Sequence, residues 1–136
     1  DETNGFQCFV PYPFLPDFSR LPEAQLASSN EILRMIAISR LMLDNIPHIK
    51  AYRMNIGDDI AQLALLSGAD DIDGTVGHEE IMHSAGSTTA LDSSNQDLIR
   101  LINQTGQVAV RRNTIYSKFN IENAQVTQSN SLPLLV

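Results

Sequence analysis

"NIPHIKAYRM", residues 45–54, sets His48, Lys50 and Tyr52 at alternate positions with Ile49 and Ala51 between them. Successive side chains of a strand point to opposite faces. A strand over about 46–53 therefore has one small apolar face and one face carrying an imidazole, an ammonium and a phenol. "ADDIDGTV" (69–76) repeats the arrangement, with Ile72, Gly74 and Val76 alternating with Asp71, Asp73 and Thr75. The fold follows from asking what those two polar sides face.

The segments around them read mostly as helix. "EILRMIAISRLMLDN" (31–45) puts Ile32, Met35, Ile36, Ser39 and Leu43 on one stripe, which Leu33, Ala37 and Leu41 widen. Asn30 is the expected N-cap, with Glu31 in the first turn, and Asn45 and Pro47 end the helix. "DDIAQLALLSG" (58–68) is a second helix with Ile60, Leu63 and Ala64 as its core face and Gly68 just past its end. Upstream, "GFQCFVPYPF" (5–14) reads as a first strand running into a loop where Pro11, Pro13 and Pro16 exclude helix. Downstream, "HEEIMHSAG" (78–86) is a short helix closed by Gly86. Ser93 with Gln96, or Ser94 with Asp97, caps a further helix carrying Leu98, Ile99, Leu101 and Ile102 and stopped by Gly106. Residues 107–116 form a last extended run, and the Asn-, Gln- and Ser-rich residues 117–136 are expected to be a flexible tail.

Strands alternating with helices imply right-handed parallel βα units. Three such strands fit either an open α/β layer or part of a (β/α)8 barrel. In a barrel, His48, Lys50, Tyr52, Asp71, Asp73 and Thr75 line the interior, where charges are tolerated only in pairs. In the alternative the strands lie at an edge and those charges are solvated. Burial separates the two.

Composition narrows the function. A chain of 136 residues is expected to form one domain with a real core. Its formal charge of −7 and the lack of clustered Lys and Arg argue against a nucleic-acid or anionic-membrane partner. Cys8 is the one cysteine, so neither an internal disulfide nor a Cys-only metal site forms within these residues. It reads as a small buried apolar residue in a reducing, cytoplasmic compartment. The start at Asp1 rather than Met fits either a processed product or a piece of a longer polypeptide.

"HEEIMH" invites a zinc-protease reading, but His78 and His83 are five apart, about 140° from one another on a helix. Glu79 and His83, four apart, share a face. They form either an acid–base pair or an ordinary surface pair. "GADDIDG" lacks the order of a calcium loop, and no phosphate-binding glycine motif is present.

The stretches "GFQCFVPYPFLP", "LMLDNIPHIKAY", "GADDIDGTV", "EEIMHSAG" and "RRNTIY" resemble, in this order, the C-terminal part of a radical-SAM family. That family makes menaquinone and deazaflavin (F420) precursors. The "GADDIDGTV" stretch with His83 looks most like aminofutalosine synthase, with dehypoxanthine futalosine cyclase and the F420 synthases as alternatives. The resemblance covers about residues 3–116. It implies the last three βα units of a TIM-like barrel plus a C-terminal elaboration. It also implies S-adenosylmethionine and a [4Fe–4S] cluster in the full-length enzyme, the cluster held by C-x-x-x-C-x-x-C, which these residues lack. The reaction implied is adenosyl-radical addition to 3-[(1-carboxyvinyl)oxy]benzoate, a small-molecule substrate. Lys50, Tyr52, Asp73, Thr75, Glu79 and His83 are the expected lining residues for substrate or S-adenosylmethionine, with no metal ligand among them. The expected partner is the missing N-terminal part of the barrel, or a second copy in a non-catalytic half-barrel. Arg53 stands where the family commonly has Trp. Apart from the resemblance, a small α/β hydrolase or isomerase using Glu79 and His83 is a further alternative.

Overall fold

A computed structural model describes residues 3, 5–17, 19–21 and 23–122. Ile49 and Ala51 of β2 (His48–Ala51) are fully buried, while His48 and Lys50 between them are partly open. The alternation expected from "HIKA" is thus present, and it sets the layers. Ile49 and Ala51 pack on Ile36 of α1 (Ser29–Met42) and on Ala61 and Ala64 of α3 (Asp58–Leu65). Ile32, Leu33, Leu43 and Ile72 surround this cluster. Burying these side chains contributes about 1.5–3 kcal/mol for each large one.

The three strands are parallel, in the order β1 (Cys8–Phe9), β2, β3 (Asp71–Ile72). Cys8 lies opposite His48 and Lys50 opposite Asp71. The outer edges of β1 and β3 carry no further strand among the described residues. The fold is therefore mixed α/β with parallel strands, as expected, and the polar sides of β2 and β3 face away from α1 and α3.

Several local expectations change. The N-cap of α1 is Ser28, not Asn30: Ser28 Oγ accepts the Glu31 N–H at 3.3 Å, and Glu31 returns a bond to the Ser28 N–H at 2.8 Å. That reciprocal box satisfies two otherwise orphaned donors and starts the helix two residues earlier. The strand over 46–53 stops at Ala51, and α2 (Arg53–Ile56) begins at once. Asp73 Oδ1 takes the Arg53 N–H at 2.6 Å, which turns the chain. Gly57, with φ 82°, separates α2 from α3, a conformation glycine adopts freely.

On α1, Met35 and Leu41 are exposed, at 52% and 79%, together with Ile38 and Met42. The helix has a second apolar face that none of the described residues covers. On α3 the core face is Ala61 and Ala64, and Leu63 is exposed. β3 is shorter than the 69–76 alternation because regular pairing ends at Ile72.

The short helix is α4 (Ile81–Ser84), and Gly86 follows it in a left-handed conformation. α5 (Asn95–Asn103) is capped by the Ser94–Asp97 box, the second of the two arrangements expected. β4 (Val110–Arg112) pairs antiparallel with β5 (Phe119–Ile121). β5 lies within 117–136, so the start of the segment read as a tail is part of a paired hairpin. Residues 123–136, including "LPLLV", lie outside the described residues. No described helix is long and apolar enough to cross a membrane.

Candidate functional site

The site begins with the polar side of β2 and β3 and has two tiers. In the lower tier Asp71 is the hub. Its Oδ1 accepts Arg112 Nε at 2.7 Å, and its Oδ2 accepts Arg112 Nη2 and the Tyr116 hydroxyl, each at 2.7 Å. Lys50 Nζ stands farther off, 3.4 Å from Oδ2. Two parallel guanidinium–carboxylate bonds form the strongest such geometry. They bind the β4–β5 hairpin to β3.

Tyr116 is the one non-glycine residue with positive φ among the described residues, at 53°. A bulky side chain adopts that conformation only when its surroundings impose it. Here they do. The ring stacks on His48, centroids 4.4 Å apart and planes 16° from parallel, and the Arg112 guanidinium lies 4.1 Å from its centre. Burial, with bonds to Cys8 and Asp71, pushes the phenol well above its ordinary range. His48 Nδ1 in turn lies 2.7 Å from Asp70, which also pairs with Arg40 of α1 and accepts the Ile49 N–H.

The upper tier lies at the carboxyl ends of the strands, where parallel α/β sheets bind ligands. Asp73 is buried at 5% exposure. Its Oδ2 stands 3.4 Å from Arg53 Nε, but the geometry is not that of a hydrogen bond, and neither atom has another hydrogen-bond partner among the described residues. Arg53 is itself fully buried, and Nη1 donates to Asp58 at 2.9 Å. Burial raises the Asp73 carboxyl above its ordinary value, although bonds from the Arg53 and Asp73 amides and the charges of Arg53 and Lys50 pull the other way.

Tyr52 donates a long bond, 3.4 Å, to Glu79 Oε2, and its ring lies against Tyr12 with centroids 5.1 Å apart. Its phenol is pushed up to about 12, chiefly by burial and then by Tyr12, Glu79 and Asp73. Glu79 Oε1 accepts the N–H groups of Ile81 and Met82, so this carboxylate also caps α4.

His83 does not meet the Glu79 carboxylate. Its Nδ1 lies 2.9 Å from the Glu79 carbonyl oxygen and its Nε2 2.8 Å from that of Thr89. The ring ties the loop after α4 to the start of that helix. The acid–base pair of the hydrolase alternative is therefore not assembled, because α4 begins only at Ile81 and Glu79 precedes it. Thr75 is exposed beyond the end of β3.

Of the expected lining residues, the structure thus brings Lys50, Tyr52, Asp73 and Glu79 to one side of the sheet, and leaves His83 and Thr75 in other surroundings. Sequence reasoning placed Asp71 on this face but missed its part as hub. It also missed Arg53 as a buried cation and Arg112 and Tyr116 as site residues. The "RRNTIY" stretch was the available signal for the last two, and the acids of β3 a weaker one for Arg53.

Beside the outer edge of β3 runs a groove of about 470 Å³, with Leu98 and Ile102 of α5, Ala109 and Val110 in its wall and Asp71 and Arg112 at its polar side.

Residues 3–125 match the protein family described as the CofH/MqnC C-terminal region. The chain is 37% identical over 125 residues to the aminodeoxyfutalosine synthase of Thermus thermophilus, covering 89% of this chain and 34% of that protein. It is 38% identical over 116 residues to the cyclic dehypoxanthine futalosine synthase of Streptomyces coelicolor, covering 85% and 29%. It is also 38% identical over 121 residues to the 5-amino-6-(D-ribitylamino)uracil–L-tyrosine 4-hydroxyphenyl transferase of Methanothermobacter thermautotrophicus, covering 85% and 33%. The chain spans about a third of the length of these relatives.

Proposed function

This chain belongs to the CofH/MqnC C-terminal region family, and on that premise we propose that it closes a TIM-like radical-SAM barrel and supplies one wall of its reaction cavity. The observation that carries the reading is the charged side of β2 and β3, turned away from the helices, with Lys50 Nζ facing Asp71 across the strands at 3.4 Å. The open edges of β1 and β3 are where further barrel strands would pair. The uncovered apolar face of α1 is where a neighbouring helix would pack.

A [4Fe–4S] cluster needs several thiolates, and this chain has Cys8 alone, half-buried in β1. These residues do not fit the cluster, and radical initiation belongs to another part of the polypeptide. Tyr52, Tyr12 and Glu79 offer rings and an acceptor at the carboxyl ends of the strands, suited to a planar ligand bearing hydroxyl or amine groups. Lys50 offers an ammonium. The walls exclude water from the reacting groups.

Identity to the three relatives differs by a single percentage point and does not choose among their reactions. The aminodeoxyfutalosine synthase reaction is the favoured one, on the "GADDIDGTV" stretch and His83. A chimera tests this: the chain replaces the matching third of the Thermus thermophilus synthase, and aminodeoxyfutalosine formation is measured. The reading predicts turnover that falls in Glu79→Gln and Tyr52→Phe with the fold retained. A well-folded chimera with bound cluster and no such product would refute the choice of reaction.

The second reading, a self-associating half-barrel, draws on the same open edges and on the exposed Ile38, Leu41 and Met42. It predicts a stable homo-oligomer that does not take up a separately expressed N-terminal barrel part.

A further inference from the structure

On the lower tier, Lys50 is the group whose bonding is incomplete. Asp71 Oδ1 and Oδ2 already hold three donors at 2.7 Å from Arg112 and Tyr116. Lys50 Nζ is left at 3.4 Å, with no hydrogen bond among the described residues and its side chain 20% exposed. An ammonium carries three N–H donors, and leaving them without acceptors in a half-buried setting is costly.

The neighbouring charges agree. Asp71 is matched by Arg112 and Asp73 by Arg53, so Lys50 is the surplus cation among these five groups. Asp58 also pairs with Arg53, but it is 47% exposed and screened by solvent. Glu79 is engaged by the first amides of α4 and by Tyr52.

We propose that Lys50 is the binding group for an oxyanion, a carboxylate or phosphate on a small molecule, and that Tyr116 and Arg112 keep it available by occupying Asp71. Tyr116 and Arg112 are positioning residues here, and the strained backbone of Tyr116 is what delivers its hydroxyl to Oδ2. Docking of the hairpin and binding of the anion are then linked: remove a donor from Asp71 and its freed lone pair captures Lys50. The inference rests on the cavity-wall reading for its place in a reaction, but not for the binding itself.

Lys50 and Lys118 are the only lysines of the chain. Reductive methylation with 13C-formaldehyde therefore gives two lysine signals in NMR spectra of the full chain. Acetate and inorganic phosphate are titrated separately at constant ionic strength. The proposal predicts a saturable shift of the Lys50 signal with at least one of them, the tighter naming the preferred group, and no saturable shift of Lys118.

In Tyr116→Phe, which changes no charge, the apparent affinity falls about fivefold, the worth of one competing hydrogen bond. Arg112→Lys, also charge-neutral, lowers it as well and serves if the first variant fails to fold. A Lys50 signal that follows Lys118 with both anions overturns the proposal. So does unchanged affinity in a folded variant. An inactive chimera with normal anion binding would instead count against the barrel reaction alone.

Discussion

Arg53 and Asp73 show how much one residue's surroundings decide. Both are buried, with Arg53 Nε 3.4 Å from Asp73 Oδ2, although Arg53 also reaches the more exposed Asp58 at 2.9 Å. Removing one partner of such a pair costs about 3–5 kcal/mol, since the other stays buried and unpaired. Arg53→Met is expected to lower unfolding free energy by about 3 kcal/mol in urea titrations. Asp73 adds a pH signature. Its carboxyl is raised in the folded state, so its contribution is most favourable below the ordinary carboxyl range and is lost as pH rises through the folded value. Melting curves of wild type and Asp73→Asn should therefore diverge in favour of the variant as pH rises from acid toward neutral. Parallel curves would mean that burial does not govern Asp73. The alternation of Asp71 and Asp73 was legible in the sequence. The pairing of Asp73 with Arg53 was not, because the strand pattern assigned Arg53 to β2 rather than to the turn that follows it.

At the scale of elements, periodicity located the parallel strands and the long helices, and failed at ends and at faces. The N-cap of α1 went to Ser28 because a box with Glu31 satisfies two donors at once. Ser28→Ala should cost about 1 kcal/mol, read from the urea midpoint. Glu31 and Asp97 are held below the ordinary carboxyl range by their cap serines. Their stabilisation is present above that range and lost as pH falls through the lowered values. Ser28→Ala should therefore cost less in acid than at neutral pH, whereas an equal cost at both would contradict the box. Of the wide apolar stripe of α1, Met35 and Leu41 lie outside the core, as do Ile38 and Met42 beside it. A sequence pattern records that a face is apolar and not which neighbour covers it.

At the scale of the molecule, the proposed assembly draws on three parallel strands whose two outer edges, and a helix face, are left uncovered among the described residues. Sedimentation of the isolated chain at micromolar concentration should show self-association, weakened by Leu41→Lys with no loss of melting temperature. A monomer in both cases would contradict it. The central claim is that the Lys50 side of the sheet becomes the wall of an enclosed cavity. Its most direct test compares acetylation rates of Lys50 and Lys118 by mass spectrometry, in the isolated chain and in the chimera with the Thermus thermophilus barrel. The account predicts that Lys50 slows by at least about tenfold in the chimera while Lys118 is unchanged, the protection expected when a side chain is open in only a minor fraction of molecules. Equal Lys50 rates in the two proteins would contradict it.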